Sequence, residues 1–471
     1  MLSRNAFVIA ACALALIAAP LLIGGSQTKI ALALMILLAP LAIYLALKRP
    51  ILFPYSLYAF LIPFDNLLTV STFGTATRLL GLLAGLALMF WTVRRRLIIM
   101  PPASLILWAT LLGWMALTLL WTSDLENGMR VFGTMVQVVL LYAVVSITPI
   151  QLRDARVVIW AIAAGGFIAA IFGFYVLHHQ APMQLELQRE LGRLQIQIGE
   201  SSLDVNHFSN ALLLPIAIAL VATLNQRRIL AKLFLAAVVG TMIGAIYVSA
   251  SREALIAVGV MMVYLAIVSR KRLQLIFLFA ISVVLSLLNP AVWQRFASAS
   301  ATGGAGRTSI WAVGIETLRH HWLVGSGIGS FSSAYDEAYI KIFQAYPVGW
   351  SQNPHNVPLH NAVELGIVGI ALTVAVWGVQ FAILRCVEAG SALYDLRIIA
   401  TAALIGLSIC AFFIDLFNYK YLWVLFALIA QIRVLAHLYP QLAKAPLKSP
   451  VDPKDHVTDN LWTRGVPYHA Y

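Results

Sequence analysis

Charged residues are scarce in this 471-residue sequence, of which they make up 11%, while 61% of the residues are hydrophobic. The mean hydropathy is +0.87. A water-soluble chain of this size could not bury so much apolar surface. The scarcity of charge therefore excludes a soluble globular enzyme. It predicts an all-α fold, a polytopic bundle of transmembrane helices.

Acidic residues and cysteines are also few. Nineteen acids stand against 32 basic residues, which gives a net charge of +13. In a membrane protein, topology accounts for most of this excess, so it predicts no nucleic-acid partner. The three cysteines lie in or beside apolar runs and provide neither a disulfide framework nor the spacing of a metal site. Zinc, calcium and nucleotide motifs are absent from the sequence, and we therefore predict no metal and no cofactor.

Long apolar runs predict fourteen spanning helices. They lie near 6–24, 28–47, 51–69, 78–93, 103–121, 130–148, 156–177, 207–224, 232–249, 253–268, 273–289, 358–384, 397–415 and 420–436. The first run resembles a secretory signal, but reading it as a span makes the later charges alternate between the two sides. Most of the 32 basic residues then fall on one side, which the positive-inside rule makes cytoplasmic. Both termini are predicted to be cytoplasmic.

The same pattern divides the chain into six regions. They are N-terminal spans (1–177), a first outer segment (178–206), central spans (207–289), a large outer loop (290–357), C-terminal spans (358–436) and a cytoplasmic tail (437–471). In the first outer segment, Leu187, Leu191, Leu194 and Ile198 recur at helical spacing and predict an amphipathic helix.

The large outer loop carries two further helical patterns. One places Trp311, Ile315, Leu318 and Trp322 on a single stripe, and the other carries Phe331, Tyr335, Tyr339 and Ile342. Glycines separate the two patterns. We predict helices that lie on the outer leaflet or cap a cavity.

The stretch 354–369 stands where this loop meets a long apolar helix. Asn356 is suited to cap that helix, and Pro358 is tolerated in its first turn. His355 is thereby placed at the outer membrane surface, beside the positive end of a helix. Such a position suits the binding of a phosphate group.

Two arginines stand out by position. Arg252 lies in a short outer turn, where it opposes the orientation rule; it can be a snorkelling or salt-bridged side chain, but ionisable groups at such depth usually serve function. Arg307 begins a loop helix at the end where the dipole disfavours a cation. A solvated loop charge and an anion ligand are both compatible with Arg307.

Other polar residues have ordinary structural readings. Arg189 and Arg193 each follow a glutamate by three residues, as in helix ion pairs, with substrate contact as the alternative. His360 and Glu364 share one helix face and can form a pair that supports the bundle or orients a neighbour. For Asp65 and Asp415 we predict pairing with Lys420 or an arginine.

Three segments together resemble the O-antigen ligase and polymerase family of bacterial envelopes. They are His355-Asn356 followed by Gly366-x-x-Gly369, the run Gly306-Arg307-x-x-x-Trp311 with Trp322 to Phe331 behind it, and the turn Ser-x-Ser-Arg252. The likeness covers about 200–370. Ligases of this family are usually described with twelve spans, whereas fourteen are predicted here. Either one predicted pair of spans is not real, which leaves twelve, or the chain is a longer relative, which slightly favours a polymerase.

The resemblance implies a metal-independent glycosyltransferase of the bacterial inner membrane, whose donor is a glycan on undecaprenyl diphosphate presented at the periplasmic face. A ligase would transfer the glycan to a lipid A–core sugar, and a polymerase to the next lipid-linked repeat unit. His355, Arg252 and Arg307 are the predicted catalytic residues: the arginines hold the diphosphate and the histidine takes the acceptor's proton. The predicted substrate-binding residues are Arg193, Asn356, Arg189 and His360. Membrane lipids are predicted to surround the protein. A flippase or other transporter is the alternative from another class, but its charges would line several spans through the membrane.

Overall fold

A computed structural model describes residues 39–70, 74–179, 196–198, 201–269, 271–276, 280, 307–342 and 352–444. Helices dominate this part of the chain, and the strands in it are two or three residues long. The N-terminal helices are α1 (Ala39–Lys48), α2 (Ser56–Leu61), α3 (Ala76–Arg95), α4 (Ala103–Thr118), α5 (Leu125–Ile147) and α6 (Leu152–His179). A π-helical turn (Ile51–Tyr55) and a 3-10 helix (Ile62–Leu67) flank α2.

The second half contains the remaining helices. They are α7 (Val205–Ala211), α8 (Leu213–Asn225), α9 (Ile229–Ser249), α10 (Arg252–Val268), α11 (Arg307–His321), α12 (Phe331–Ile342), α13 (Val357–Leu384), α14 (Tyr394–Cys410), α15 (Lys420–Leu438) and α16 (Pro440–Ala443). The strand pairs are antiparallel: β1 (Thr69–Val70) with β2 (Gly74–Thr75), and β3 (Ile196–Ile198) with β4 (Ser201–Leu203).

The all-α polytopic fold is confirmed. Seven described helices are long and apolar enough to cross a membrane, and an eighth crossing results if α1 and Ile51–Asp65, bent by 111°, form one span. Helices α4, α10 and α14 have 16 or 17 residues. The predicted span 6–24 and most of 273–289 lie outside the described residues, so the total of 12 to 14 stays a prediction.

Helices α7 and α8 follow each other directly in the chain and form the centre of the bundle. Every residue in the apolar stretch of α7 and α8 is buried, and most of α15 is buried too. Helix α8 packs against α6, α9 and α14, and α10 packs against α14. The outer spans bury only part of their surface and present the rest to lipid.

The first outer segment differs from its prediction at one end. Ile198 lies in strand β3, so the predicted amphipathic helix does not extend to it. Ile196 and Ile198 alternate with Gln197, and this two-residue period with β-branched side chains suits a strand. Arg189 and Arg193, with the other predicted residues of that helix, lie outside the described residues.

Helix α13 is broken within the predicted span. Gly366 has φ +66° and ψ −165°, a conformation that glycine alone adopts readily. The break frees backbone carbonyls, and the loop between α11 and α12 binds them. Ser326 donates its N–H to the Val363 carbonyl at 2.8 Å, and Gly327 donates to the Glu364 carbonyl at 2.9 Å.

The loop helices form as predicted, but α11 buries a different face. It ends at His321, before Trp322, and the exposed fractions of Ile315 and Trp322 are 50% and 58%. Val313 and Thr317 are buried instead, because α11 packs against α12 and α13. Helix α12 buries Phe331, Tyr335 and Tyr339 as predicted.

Candidate functional site

A cavity of about 860 Å³, the main cavity, opens at one end of the bundle. Its walls come from α5, α7, the start of α12, the start of α13 and the loop between α14 and α15. It is lined by Asp124, Glu126, Asn127, Arg130, Val131, Thr134, His207, Gly329, Phe331, Ser332, Asn353, His355, His360, Glu364, Asp415, Asn418 and Tyr419. Cationic side chains Arg227, Lys232 and Lys271 come together at the other end of the bundle.

His355 is held at the cavity wall by its neighbours in the chain. Its backbone is left-handed, with φ +46°. The indole N–H of Trp311 donates to the Pro354 carbonyl at 2.8 Å, and the Asn356 side chain accepts from the Leu359 N–H at 2.8 Å. Asn356 therefore caps α13 as predicted, and it also donates its amide to the Phe412 carbonyl at 3.1 Å.

The charge state of His355 follows from its surroundings. Burial lowers the pKa of the imidazole below its usual value, and the positive charge of Arg307 lowers it further. Asp204 and Asp415 oppose this effect without reversing it. His355 is consequently neutral at neutral pH, and none of the described residues makes a hydrogen bond with its ring.

His360 forms the centre of an ionic cluster beside His355. Its Nδ1 lies 2.8 Å from the Asp415 carboxylate and its Nε2 lies 3.0 Å from that of Glu364. Burial would raise the pKa of Asp415, but the charge and hydrogen bond of His360 outweigh it and hold that pKa below the usual value. The predicted pairing of Asp415 with Lys420 or an arginine is wrong, because His360 occupies that carboxylate. Asp65 does pair with Lys420, at 2.7 Å.

Glu364 also anchors the end of the loop between α11 and α12, which lines the cavity through Gly329. Its Oε1 accepts the backbone N–H of Phe331 at 3.0 Å, at the first residue of α12. A carboxylate at a helix N-terminus is favourable. The ring of Phe331 in turn packs edge-on against His360, with centroids 5.5 Å apart.

The two predicted arginines stand at different distances from this cluster. Arg307 begins α11 and lies near enough to His355 to influence its pKa. Arg252 begins α10 at the same end of the bundle, since the thiol of Cys410 contacts the neighbouring Glu253 carbonyl at 3.8 Å and Val357 donates to the Ala411 carbonyl at 2.8 Å. Neither arginine is among the described residues that line the main cavity.

Sequence reasoning missed two features of the cavity wall. His207 stacks on Tyr419 with ring centroids 3.4 Å apart, and both side chains face the cavity. Arg130 is the single arginine among the described lining residues, and Asn127 accepts its hydrogen bond at 2.7 Å. The polar residues His207, Ser209 and Asn210 at the start of the predicted span 207–224 were the available signal for His207.

Comparison with known families agrees with the motifs. The profile of the O-antigen ligase family matches residues 237–374. This stretch is therefore similar to the O-antigen ligase family. The match includes Arg252, Arg307, His355 and His360, whereas His207, Arg130 and Asp415 lie outside it. No curated protein matches the chain.

The family match over residues 237–374 and the fold together support a general activity. An O-antigen ligase family member is a glycosyl-transferring membrane enzyme of lipopolysaccharide biosynthesis that uses a lipid-linked glycan donor and an acceptor. The seven candidate spans fit a multi-pass protein of the inner membrane.

Proposed function

We propose that this protein is an O-antigen ligase that transfers a glycan from undecaprenyl diphosphate to a sugar of lipid A–core on the periplasmic face. The observation that carries the proposal is His355, a neutral histidine that lines the main cavity and has no hydrogen-bond partner among the described residues. A neutral imidazole facing a polar cavity can accept the proton of an attacking hydroxyl group.

The charge distribution supports transfer of a group from a diphosphate. Arg307 acts on His355 electrostatically, and Arg252 lies at the same end of the bundle. We propose that Arg252 and Arg307, with Arg193, stabilise the departing diphosphate in place of a metal ion. Asn356, Arg189 and His360 remain proposed substrate-binding residues; the ring nitrogens of His360 are held by the carboxylates of Asp415 and Glu364.

A polymerase that extends lipid-linked repeat units uses the same donor and the same chemistry, so only the acceptor separates the two functions. The purified protein in detergent is incubated in EDTA with a lipid-linked glycan donor. One reaction contains lipid A–core and the other contains a second lipid-linked repeat unit. We expect transfer to lipid A–core; transfer only to the second repeat unit would make the protein a polymerase. A flippase would transfer to neither.

The catalytic proposal is tested by His355→Ala in the same assay. Loss of the base should lower the rate by about 10²–10⁴-fold. His321→Gln is the matched control, since His321 is exposed at the end of α11. A His355→Ala protein that transfers glycan at the wild-type rate would remove His355 from the mechanism.

A further inference from the structure

We propose that His207 binds the diphosphate of the lipid-linked donor by donating its Nε2–H to a phosphate oxygen. This inference deepens the proposed function and depends on it for the identity of the donor. It places the diphosphate at a particular wall of the main cavity, formed by α7 and the start of α15.

The imidazole of His207 is held in one orientation. Its Nδ1 lies 3.0 Å from the Tyr421 hydroxyl, and its ring lies flat on Tyr419 with an interplanar angle of 17°. The residue is 9% exposed. When the Tyr421 hydroxyl donates to Nδ1, the proton of the neutral ring is on Nε2. No described residue makes a hydrogen bond with Nε2, and the side chain lines the main cavity.

His207 stands at a boundary between polar and apolar surroundings. Behind it and Tyr419 lies a seam of two small cavities, of about 20 and about 10 Å³, each with room for about one water molecule. Apart from Asp65 and Lys420, the seam is lined mainly by apolar side chains, which include Ile62, Pro63, Phe208, Ala211, Leu214 and Val424. A lipid diphosphate changes from polar to apolar at its phosphates, so this boundary suits the diphosphate better than the distant sugars.

The positively charged side chain at this boundary, Lys420, already has hydrogen-bond partners within the protein. The Lys420 ammonium group lies 2.7 Å from the Asp65 carboxylate and 2.8 Å from the Thr75 hydroxyl, and it also contacts Thr77 at 3.0 Å. These contacts occupy its three hydrogen atoms. Lys420 is therefore not the donor for a ligand on this wall, where His207 and Tyr419 are the described ring side chains that face the main cavity, and His207 is the one held by Tyr421.

The proposed role fits the balance of the reaction. The acceptor hydroxyl oxygen forms a bond to the anomeric carbon while the bond from that carbon to the diphosphate oxygen breaks. The diphosphate leaves with the bonding electron pair, and His355 takes the hydroxyl proton. His207 keeps its own proton and stabilises the growing charge on the diphosphate.

Two substitutions separate the two ring nitrogens. The amide nitrogen of His207→Gln can take the place of Nε2, whereas that of His207→Asn can take only the place of Nδ1. We expect His207→Gln to retain transfer within about tenfold, and His207→Asn and His207→Ala to lose about 10²–10³-fold in kcat, as for the removal of one oxyanion donor. His321→Gln controls for the exchange of a histidine elsewhere, and thermal unfolding in detergent shows whether each variant is folded.

A binding measurement keeps this test separate from the test of glycan transfer. Farnesyl diphosphate serves as the probe, and its affinity is measured by calorimetry for the wild-type protein and the folded variants. Affinity retained in His207→Gln and lost in His207→Asn supports the inference even if the wild-type protein transfers no glycan, an outcome that would refute only the proposed function. Equal affinities, or an active His207→Asn protein, would assign His207 to the structural contact with Tyr421 and overturn the inference.

Discussion

At the scale of single residues, the site depends on how each imidazole is surrounded. His360 lies between two carboxylates, whereas His355 is buried near an arginine without a partner for its ring among the described residues. The same residue type thus has opposite electrostatic surroundings five positions apart. The sequence identified His355 and His360, because both belong to one short motif. It could not assign Asp415 to His360, because that contact depends on how the loop after α14 folds back over α13.

The pH dependence of transfer tests the influence of Arg307 on His355. The pKa of His355 is lowered, first by burial and then by Arg307, so the base stays neutral until the pH falls below the usual histidine range. Replacing Arg307 with Gln removes a positive charge and should raise that pKa. The acidic limb of the kcat/KM profile should therefore move to higher pH, measured with purified protein between pH 4 and pH 8, a range that brackets about 6.5, the usual histidine pKa.

Arg319→Gln is the control for this measurement, because Arg319 is exposed on the same helix and pairs with Glu316 at 2.8 Å. Its profile should match that of the wild-type protein. An acidic limb that stays in place in Arg307→Gln would show that burial alone sets the pKa of His355.

At the scale of elements, the glycine-rich loop and the broken helix α13 form one unit. The break at Gly366 exposes carbonyls that the loop binds, and Trp114 of α4 donates its indole N–H to the Leu365 carbonyl at 2.8 Å. On the other side of the loop, Asn127 donates its side-chain amide to the Gly329 carbonyl at 2.6 Å. The apolar run predicted the length of α13 correctly, but hydropathy cannot show that the helix is broken at Gly366. The glycines of the loop and of α13 were recognised as parts of a motif, but the sequence did not indicate that Gly325 packs against Gly366.

Replacing Gly366 with Ala tests this unit. A β-carbon there would overlap the Leu323 carbonyl, and the backbone conformation is strained for alanine. We expect a loss of stability on the order of 3 kcal/mol, from backbone strain and overpacking together. Thermal unfolding in detergent measures the change, and transfer activity should fall with it because Glu364 is displaced.

Gly378→Ala provides a matched control in the same helix. A β-carbon at Gly378 meets no atom within 4 Å, so alanine should be neutral or should stabilise by up to about 1 kcal/mol. Equal melting temperatures for the two variants would contradict the account of the broken helix.

At the scale of the whole molecule, the charge pattern and the cavity agree on an orientation. The cationic residues around Lys271 and the main cavity lie at different ends of the bundle, as α10 runs from Arg252 to Val268 between them. By the positive-inside rule, we propose that the cavity end is periplasmic. Hydropathy identified the spans, but it could not show that α7 and α8 are surrounded by other helices. A helix buried in protein and a helix exposed to lipid are both apolar, so their sequences have similar hydropathy.

Cysteine labelling tests the orientation. Cys386 is exposed just after α13, at the end predicted to be cytoplasmic, and Arg319 is exposed on α11. In a background with Cys12→Ser and Cys410→Ser, spheroplasts are treated with a membrane-impermeant maleimide. We expect the reagent to modify Arg319→Cys and to reach Cys386 only after lysis. The opposite pattern would invert the topology and place the main cavity in the cytoplasm.

The docking of the glycine-rich loop limits how this enzyme can be recombined with its relatives. A chimera that exchanges only the outer loop would separate Gly325 and Gly327 from the α13 carbonyls that they fit, and Ile328 from the Thr118 hydroxyl that binds its N–H at 3.2 Å. The outer loop can therefore be exchanged with its contacts intact only if the end of α4, the start of α5 and the first third of α13 are exchanged with it. The crossover points of such a chimera should lie in the halves of α4, α5 and α13 that are farther from the main cavity.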